Sequence, residues 1–255
     1  MENMLLVGLS RQVALERQMD VVSNNIANLN TNGYKSDGSL FEEFIAPGAK
    51  DGGFSGKDTS VRFVSDRGIW HDMQAGAMQQ TGNPLDVAIE GEGFFVVQTP
   101  GGPRYSRNGA FQVNNQGQLV NAEGAVVQGE NGPIVFQPAD RNIIISKDGR
   151  ITVNEGAGVK TEGFRGKLRI VRFQRAQDLL KEGASNFSAP AGVQPQNVGN
   201  YRVHQATIEK SNVNGIIEMT RMIEITRTYT QISGILQQQG DLRKNSLNQL
   251  AEVPA

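Results

Sequence analysis

Cysteine is absent from the chain, which rules out a disulfide framework and any cysteine-ligated metal centre. Histidine is nearly absent: His71 and His204 stand alone, and one imidazole without further ligands makes a poor metal site. Neither sign of charge is in excess. The 25 basic and 26 acidic residues leave a formal net charge of −1, which offers no field for nucleic acid or an anionic membrane. Long apolar runs are missing too, and no window approaches the roughly 18 apolar residues of a membrane helix. Residues 1–12 are apolar only briefly before Arg11, without a basic start or a small-residue cleavage site, so no Sec signal peptide is expected.

The usual marks of catalysis are also lacking. Gly91-Glu92-Gly93 begins like a dinucleotide loop, but Val96 stands where the third glycine belongs, and a strand follows where a helix is required. No Gly-x-Ser-x-Gly elbow, phosphate loop or paired carboxylates occur. His71 beside Asp72 reads as a surface histidine in a connector, and His204 as a solvent-facing strand residue. The glycosylation-like Asn186-Phe187-Ser188 reads as a chance match. The sequence therefore predicts no enzyme, no cofactor and no metal.

What is present falls into three zones. From about Asn3 to Leu29, apolar residues recur at Leu15, Met19, Val22, Ile26 and Leu29, spaced four and three apart. That is the seam of a coiled coil rather than the broader stripe of a helix lying on a globule. Asn28, Asn30 and Asn32 crowd its end, and Gly33 reads as a left-handed cap. From about Asn214 to Leu250 the pattern returns at Met222, Ile225, Tyr229, Ile232 and Leu236. Asn212 and Asn214 offer caps at its start, and Glu218 and Glu224 suit the dipole of its early turns. Gly234, Gly240, Thr226, Thr228 and Thr230 weaken this helix, so packing against the other end must stabilise it.

Between the helices, most of the 30 glycines separate short apolar runs from Asp86 onward. Glycine in such numbers means tight turns between short strands. Lys147-Asp148-Gly149 is a strong hairpin signal. The expected fold class is α+β: paired terminal helices around a central antiparallel meander or partly closed barrel. The expected divisions are 1–35 for the first helix and 36–80 for a connector. The β domain takes 81–200, and 201–255 holds a return segment and the last helix. Residues 46–60 read as a mobile loop, and 184–199 as an aperiodic return.

Residues 20–35, DVVSNNIANLNTNGYK, resemble the N-terminal signature of flagellar rod and hook proteins. The likeness includes Asn24, Asn25, Ala27, Asn28 and Gly33. Residues 85–95, LDVAIEGEGFF, are similar to that family's central motif through Gly91, Gly93, Phe94 and Phe95, and residues 105–111, YSRNGAF, continue it. Residues 209–214, EKSNVN, with Ser211, Asn212 and Val213, complete the set. Within the family, the length and the opening LLVGLSRQ look most like the proximal-rod members, with distal-rod members close in size and hook members longer.

The resemblance implies a self-assembling structural subunit of the basal-body rod, the drive shaft that spans the periplasm. It implies export through the flagellar export apparatus, and other rod proteins and further copies as partners. Nucleic acid, a small-molecule substrate and direct membrane insertion are not implied. Two other readings remain at this point: a soluble binding module dimerised by its helices, and a wall-cleaving enzyme.

Overall fold

The computed structural model describes residues 2–47, 60–155, 161–183, 185–198 and 201–251. Helix α1 runs Glu2–Ala27 and helix α2 runs Gly215–Ala251. α1 stops two residues before the expected end, and Leu29 lies in the turn that follows. Asn28 holds that turn: its carbonyl accepts the Thr31 amide at 3.1 Å and its side chain the Thr31 hydroxyl at 3.1 Å. Such local bonds compete with another helical turn. At the start of α2, the Asn214 side chain accepts the amides of Ile216 and Ile217 at 3.1 and 3.3 Å, an N-cap as expected. Asn212 is not a cap and bonds elsewhere.

The chain forms two compact units. One holds α1, α2 and residues 37–70. Here the expected connector instead carries two long strands, β1 (Asp37–Pro47) and β2 (Ser60–His71), which pair as a sheet. Runs such as Leu40-Phe41 and Phe63-Val64 are the β-prone signal that the glycine and lysine of the intervening loop overshadow. Most of the loop expected at 46–60 lies outside the described residues.

The second unit comprises residues 28–36 and 71–213. It is antiparallel β throughout its described strand pairs. Phe94–Thr99 is central to its largest sheet, pairing with Gly102–Ser106, Val126–Gly129 and Ile170–Arg172. The sheet order runs from Leu180–Glu182 at one end to Gln112–Val113 at the other without closing, so the region is not a closed barrel. A separate three-stranded sheet joins Asp140–Ile145, Arg150–Glu155 and Thr161–Lys167. Its first turn is the expected Asp-Gly hairpin, with Ile145 opposite Ile151.

Alternation across the strands produces two cores. Val87, Ile89, Phe95, Val97, Phe111 and Ile151 lie in the first, and Phe94, Val96, Tyr105, Phe173 and Phe187 in the second. Phe187 corrects the reading of 184–199 as aperiodic. It is fully buried on the strand Asn186–Ser188, which pairs with Gly102–Ser106. The same residue corrects the reading of His71, which is buried edge-on against Phe187 at 5.8 Å. His204 does sit on an exposed strand, its ring nitrogen 2.7 Å from Glu90.

Candidate assembly helices and the motif junction

α1 and α2 lie antiparallel. Leu236 packs against the backbone at Gly8, the Tyr229 hydroxyl donates to Glu16 at 3.1 Å, and Asn25 donates to Glu218 at 3.3 Å. Residue numbers thus rise along one helix as they fall along the other. Leu15, Val22 and Ile225 are buried between them, with Met19, Ile26, Met222, Tyr229 and Ile232 packed around. Of the seam residues read from the sequence, Leu29 alone lies outside this unit.

Asn25 anchors the lower end of the pair, at the close of α1. It is 1% exposed, donates to the Asp37 carbonyl at 2.8 Å and accepts the Asp37 amide at 2.9 Å. One side chain therefore satisfies both backbone groups where β1 begins and also meets the buried Glu218 of α2. Arg221 donates to the far oxygen of Glu218 at 2.6 Å. Beside this cluster a cleft of about 320 Å³ opens between Val21, Gly38, Trp70 and Glu224. Its neighbour in sequence, Asn24, is exposed, as is Ala27, while Asn28 shapes the turn described above.

In the second unit the remaining motif residues converge. Lys35 and Glu209 form an ion pair at 2.6 Å with both side chains 1% exposed, and Arg107 reaches the other Glu209 oxygen at 3.4 Å. Lys35 also donates to the Gln74 carbonyl at 2.6 Å, and the Gly76 amide donates to Glu209 at 3.0 Å. Arg107 donates to the carbonyls of Ile89 and Gly91 at 3.3 and 2.8 Å, and its guanidinium lies over the Phe94 ring. Burial pushes the Lys35 ammonium below its usual range, and the Glu209 carboxylate pulls it partly back. The same opposition acts on Arg107, whose net direction is also down.

The 32–36 segment is threaded through this knot. Gly33 donates its amide to the Glu209 carbonyl at 2.8 Å, and its φ is +68°. It is left-handed, but its task is not the helix cap read from the sequence: it lies so close to the backbone of Arg107 and Asn108 that no Cβ fits. Asn212 accepts the Ser36 amide at 2.8 Å and donates to the carbonyls of Asp72 and Gln74 at 2.9 and 3.2 Å. Ser211 accepts the Val213 amide at 3.2 Å. Gly93 packs under Ile170, and Phe94 and Phe95 face opposite cores.

Sequence reading missed the ion triad, because no spacing relates positions 35, 107 and 209. The available signal was that each charge sits inside a motif-bearing segment. Glu209 is bonded to two cations and an amide, and both cations also donate to carbonyls.

Three family models match the chain in order. One described as Flagella basal body rod protein covers residues 5–35. One described as Flagellar hook protein FlgE/F/G D1 domain covers 88–153, and one described as Flagellar basal body rod FlgEFG protein C-terminal covers 204–250. The chain is similar to the flagellar basal-body rod protein FlgF of Caulobacter vibrioides, 36% identical over 256 residues, 99% of this chain and 100% of the relative. It is 30% identical to the FlgF of Mesorhizobium japonicum across 93% of each chain. It is also 30% identical to the FlgG of Bacillus subtilis, covering 96% of this chain and 97% of that one. These end-to-end matches, with the motif residues gathered as described, establish that the chain belongs to the flagellar basal-body rod protein family.

Proposed function

We propose that the chain is a structural subunit of the flagellar basal-body rod, of the proximal-rod kind, assembling with further copies and other rod proteins into the tubular drive shaft. The observation that carries this reading is the pairing of the two chain ends. Helices from opposite termini bury Leu15, Val22 and Ile225 against each other, in a chain that matches rod proteins from end to end. The three–four spacing of the pair is that of a coiled coil, with a and d residues interlocking. The full-length likeness to FlgG members supports a distal-rod or hook-type axial subunit as the alternative.

The reading gives the chain no catalytic role. It is exported through the flagellar export apparatus and acts in the rod across the periplasm. Nine of the ten seam residues form the terminal bundle, and Lys35, Arg107 and Glu209, inside the motif segments, hold the β unit together. Order in the helices and assembly are then one event, because neighbours contribute the contacts that the free helices lack.

Ile225→Asp tests this. A charge between α1 and α2 breaks the pair, and a motile strain carrying the variant stops swimming and lacks rods, while the purified full-length variant keeps its strand signal. Normal swimming in that strain overturns the reading.

A further inference from the structure

A cleft of about 360 Å³ opens within the β unit, lined wholly by residues between positions 73 and 178. That volume falls at the small end of the range for ligand pockets, about 300–1,000 Å³. Its lining forms where two antiparallel segments pass each other. Ile170 pairs with Phe95 and Val171 with Phe94, which brings Glu92 and Gly93 beside Arg172 and Phe173. Met73, Phe94 and Phe173 supply the apolar part, the two phenylalanine rings standing edge-on at 6.0 Å.

Three polar groups of this lining have bonding capacity left. Arg107, 6% exposed at its side chain, gives both terminal nitrogens to the ion knot and its carbonyls. Its Nε–H is buried and has no acceptor among the described residues. A buried donor left unpaired is costly, and an acceptor seated beside it removes that cost. Arg172 is exposed, and its side chain has no hydrogen-bond or ion-pair partner among the described residues. Glu92 is exposed as well and acts on Arg107 through its charge, without a bond to it. Arg175, by contrast, is held by Asp178 at 2.9 Å.

A bare anion in the cleft would be repelled by Glu92. A purely apolar ligand would leave Arg172 and the Arg107 Nε without acceptors. A carboxylate with an N–H close by and an apolar body satisfies every group, and that is the chemistry of an amino acid's carboxyl end. We propose that the cleft binds an apolar amino acid by its carboxylate, either free or as the last residue of a peptide. The carboxylate lies between Arg172 and Arg107, whose guanidinium donors match its two oxygens. The α N–H donates to Glu92, and the side chain rests on Met73, Phe94 and Phe173. The inference does not draw on rod assembly and stands or falls apart from it.

Titration of the full-length chain with N-acetylphenylalanine and with phenylalanine, followed by NMR shift changes, tests it. At least one should bind with a Kd of about 1 mM or tighter. Stronger binding of the N-acetyl form assigns the site to a peptide end. Stronger binding of the free form assigns it to an amino acid whose ammonium Glu92 holds, a preference that Glu92→Gln should erase. The primary amide of N-acetylphenylalanine, which lacks the carboxylate, should not bind. Arg172→Gln, at an exposed position, should keep the strand signal and weaken binding at least about ten-fold through loss of a charged hydrogen bond. The proposal is overturned if neither compound binds, if the amide binds as tightly as the acid, or if Arg172→Gln leaves the affinity unchanged. Displacement of the ligand by equimolar inorganic phosphate would also overturn it, by showing a site for any anion.

Discussion

Replacing Glu209 by Gln tests the motif junction most severely. The carboxylate sits 2.6 Å from the Lys35 ammonium and 3.4 Å from the Arg107 guanidinium, with side chains 1%, 1% and 6% exposed. Glutamine keeps the size and one acceptor oxygen, so the Lys35 and Gly76 bonds can survive. Its amide nitrogen, however, turns a donor toward Arg107, and two buried cations lose the anion they share. Removing one partner from a buried ion pair costs about 3–5 kcal/mol, a large share of the roughly 5–15 kcal/mol that holds a typical domain. For a unit of this size each kcal/mol moves the melting point by about 2–4 °C. Glu209→Gln should therefore lower the strand-monitored Tm by on the order of 10 °C. Glu130→Gln is the control, because it breaks the exposed 2.8 Å bridge to Lys167 and such pairs contribute about 0–1 kcal/mol.

The pH dependence sharpens the test. Lys35 already titrates below its ordinary value in the folded chain, and loss of Glu209 lowers it further. Between that lowered pKa and the unfolded value of about 10.4, the unfolded chain binds more protons, so stability rises with pH. The deficit of the variant should narrow as pH climbs toward 10. A Tm within 2 °C of the parent, or a deficit constant to pH 10, would refute the account of a charge-balanced knot.

Gly33→Ala puts a Cβ at φ +68° and against the Arg107–Asn108 backbone, so it should cost more than the 1–2 kcal/mol of the left-handed penalty alone, measured by urea denaturation. Asn25→Ala orphans both backbone groups of Asp37 and should cost about 1–3 kcal/mol in the helical unit. Trp70, the single tryptophan and a member of that unit, reports the loss by fluorescence. Asp140 is held below the usual carboxylate range chiefly by its two bonds from Arg165, at 2.7 Å each. Its contribution is complete above the unfolded pKa and disappears as pH falls through the lower folded one. Asp140→Asn should therefore flatten the acid limb of the stability curve, read by circular dichroism, and an unchanged acid midpoint would count against the bond.

The periodic parts of the fold were legible in the sequence and the convergent parts were not. A three–four spacing at Leu15, Met19, Val22 and Ile26 is a local property, and so are the Asp-Gly turn at 148–149 and the cap at Asn214. Phe187 could not be assigned a core position, because Ser185, Ser188 and Pro190 around it break any alternation that a strand would show. β1 and β2 were hidden by composition. The glycines and lysines between them dominate any window, and the strands are recognised only when paired. The ion triad depends on three positions brought together by the whole of the second unit. What the sequence did carry was wording at 35, 107 and 209, in three segments whose shared purpose becomes visible only when they meet.

The two units solve the problem of stability in opposite ways. The β unit closes on itself: its charges are paired in the interior, and Phe95, Phe111 and Phe187 are almost wholly buried. The helical unit does not close. Thr220, Thr226, Thr228 and Thr230 each donate a hydroxyl to the carbonyl four residues back, a bond that slightly weakens a helix. Gly234 and Gly240 each cost about 1 kcal/mol relative to alanine. With Gly8 level with Leu236, α1 runs out near position 242 of α2, and about nine further residues have no α1 beside them. Every residue from 241 to 249 is exposed, Leu242 and Leu247 among them. An isolated helical end of that length is marginal in water. Such an overhang leaves Leu242 and Leu247 without cover from α1. On the proposed reading as a rod subunit, neighbouring subunits would supply the contacts that this overhang lacks, and the weakness of α2 alone would make its ordering conditional on their arrival.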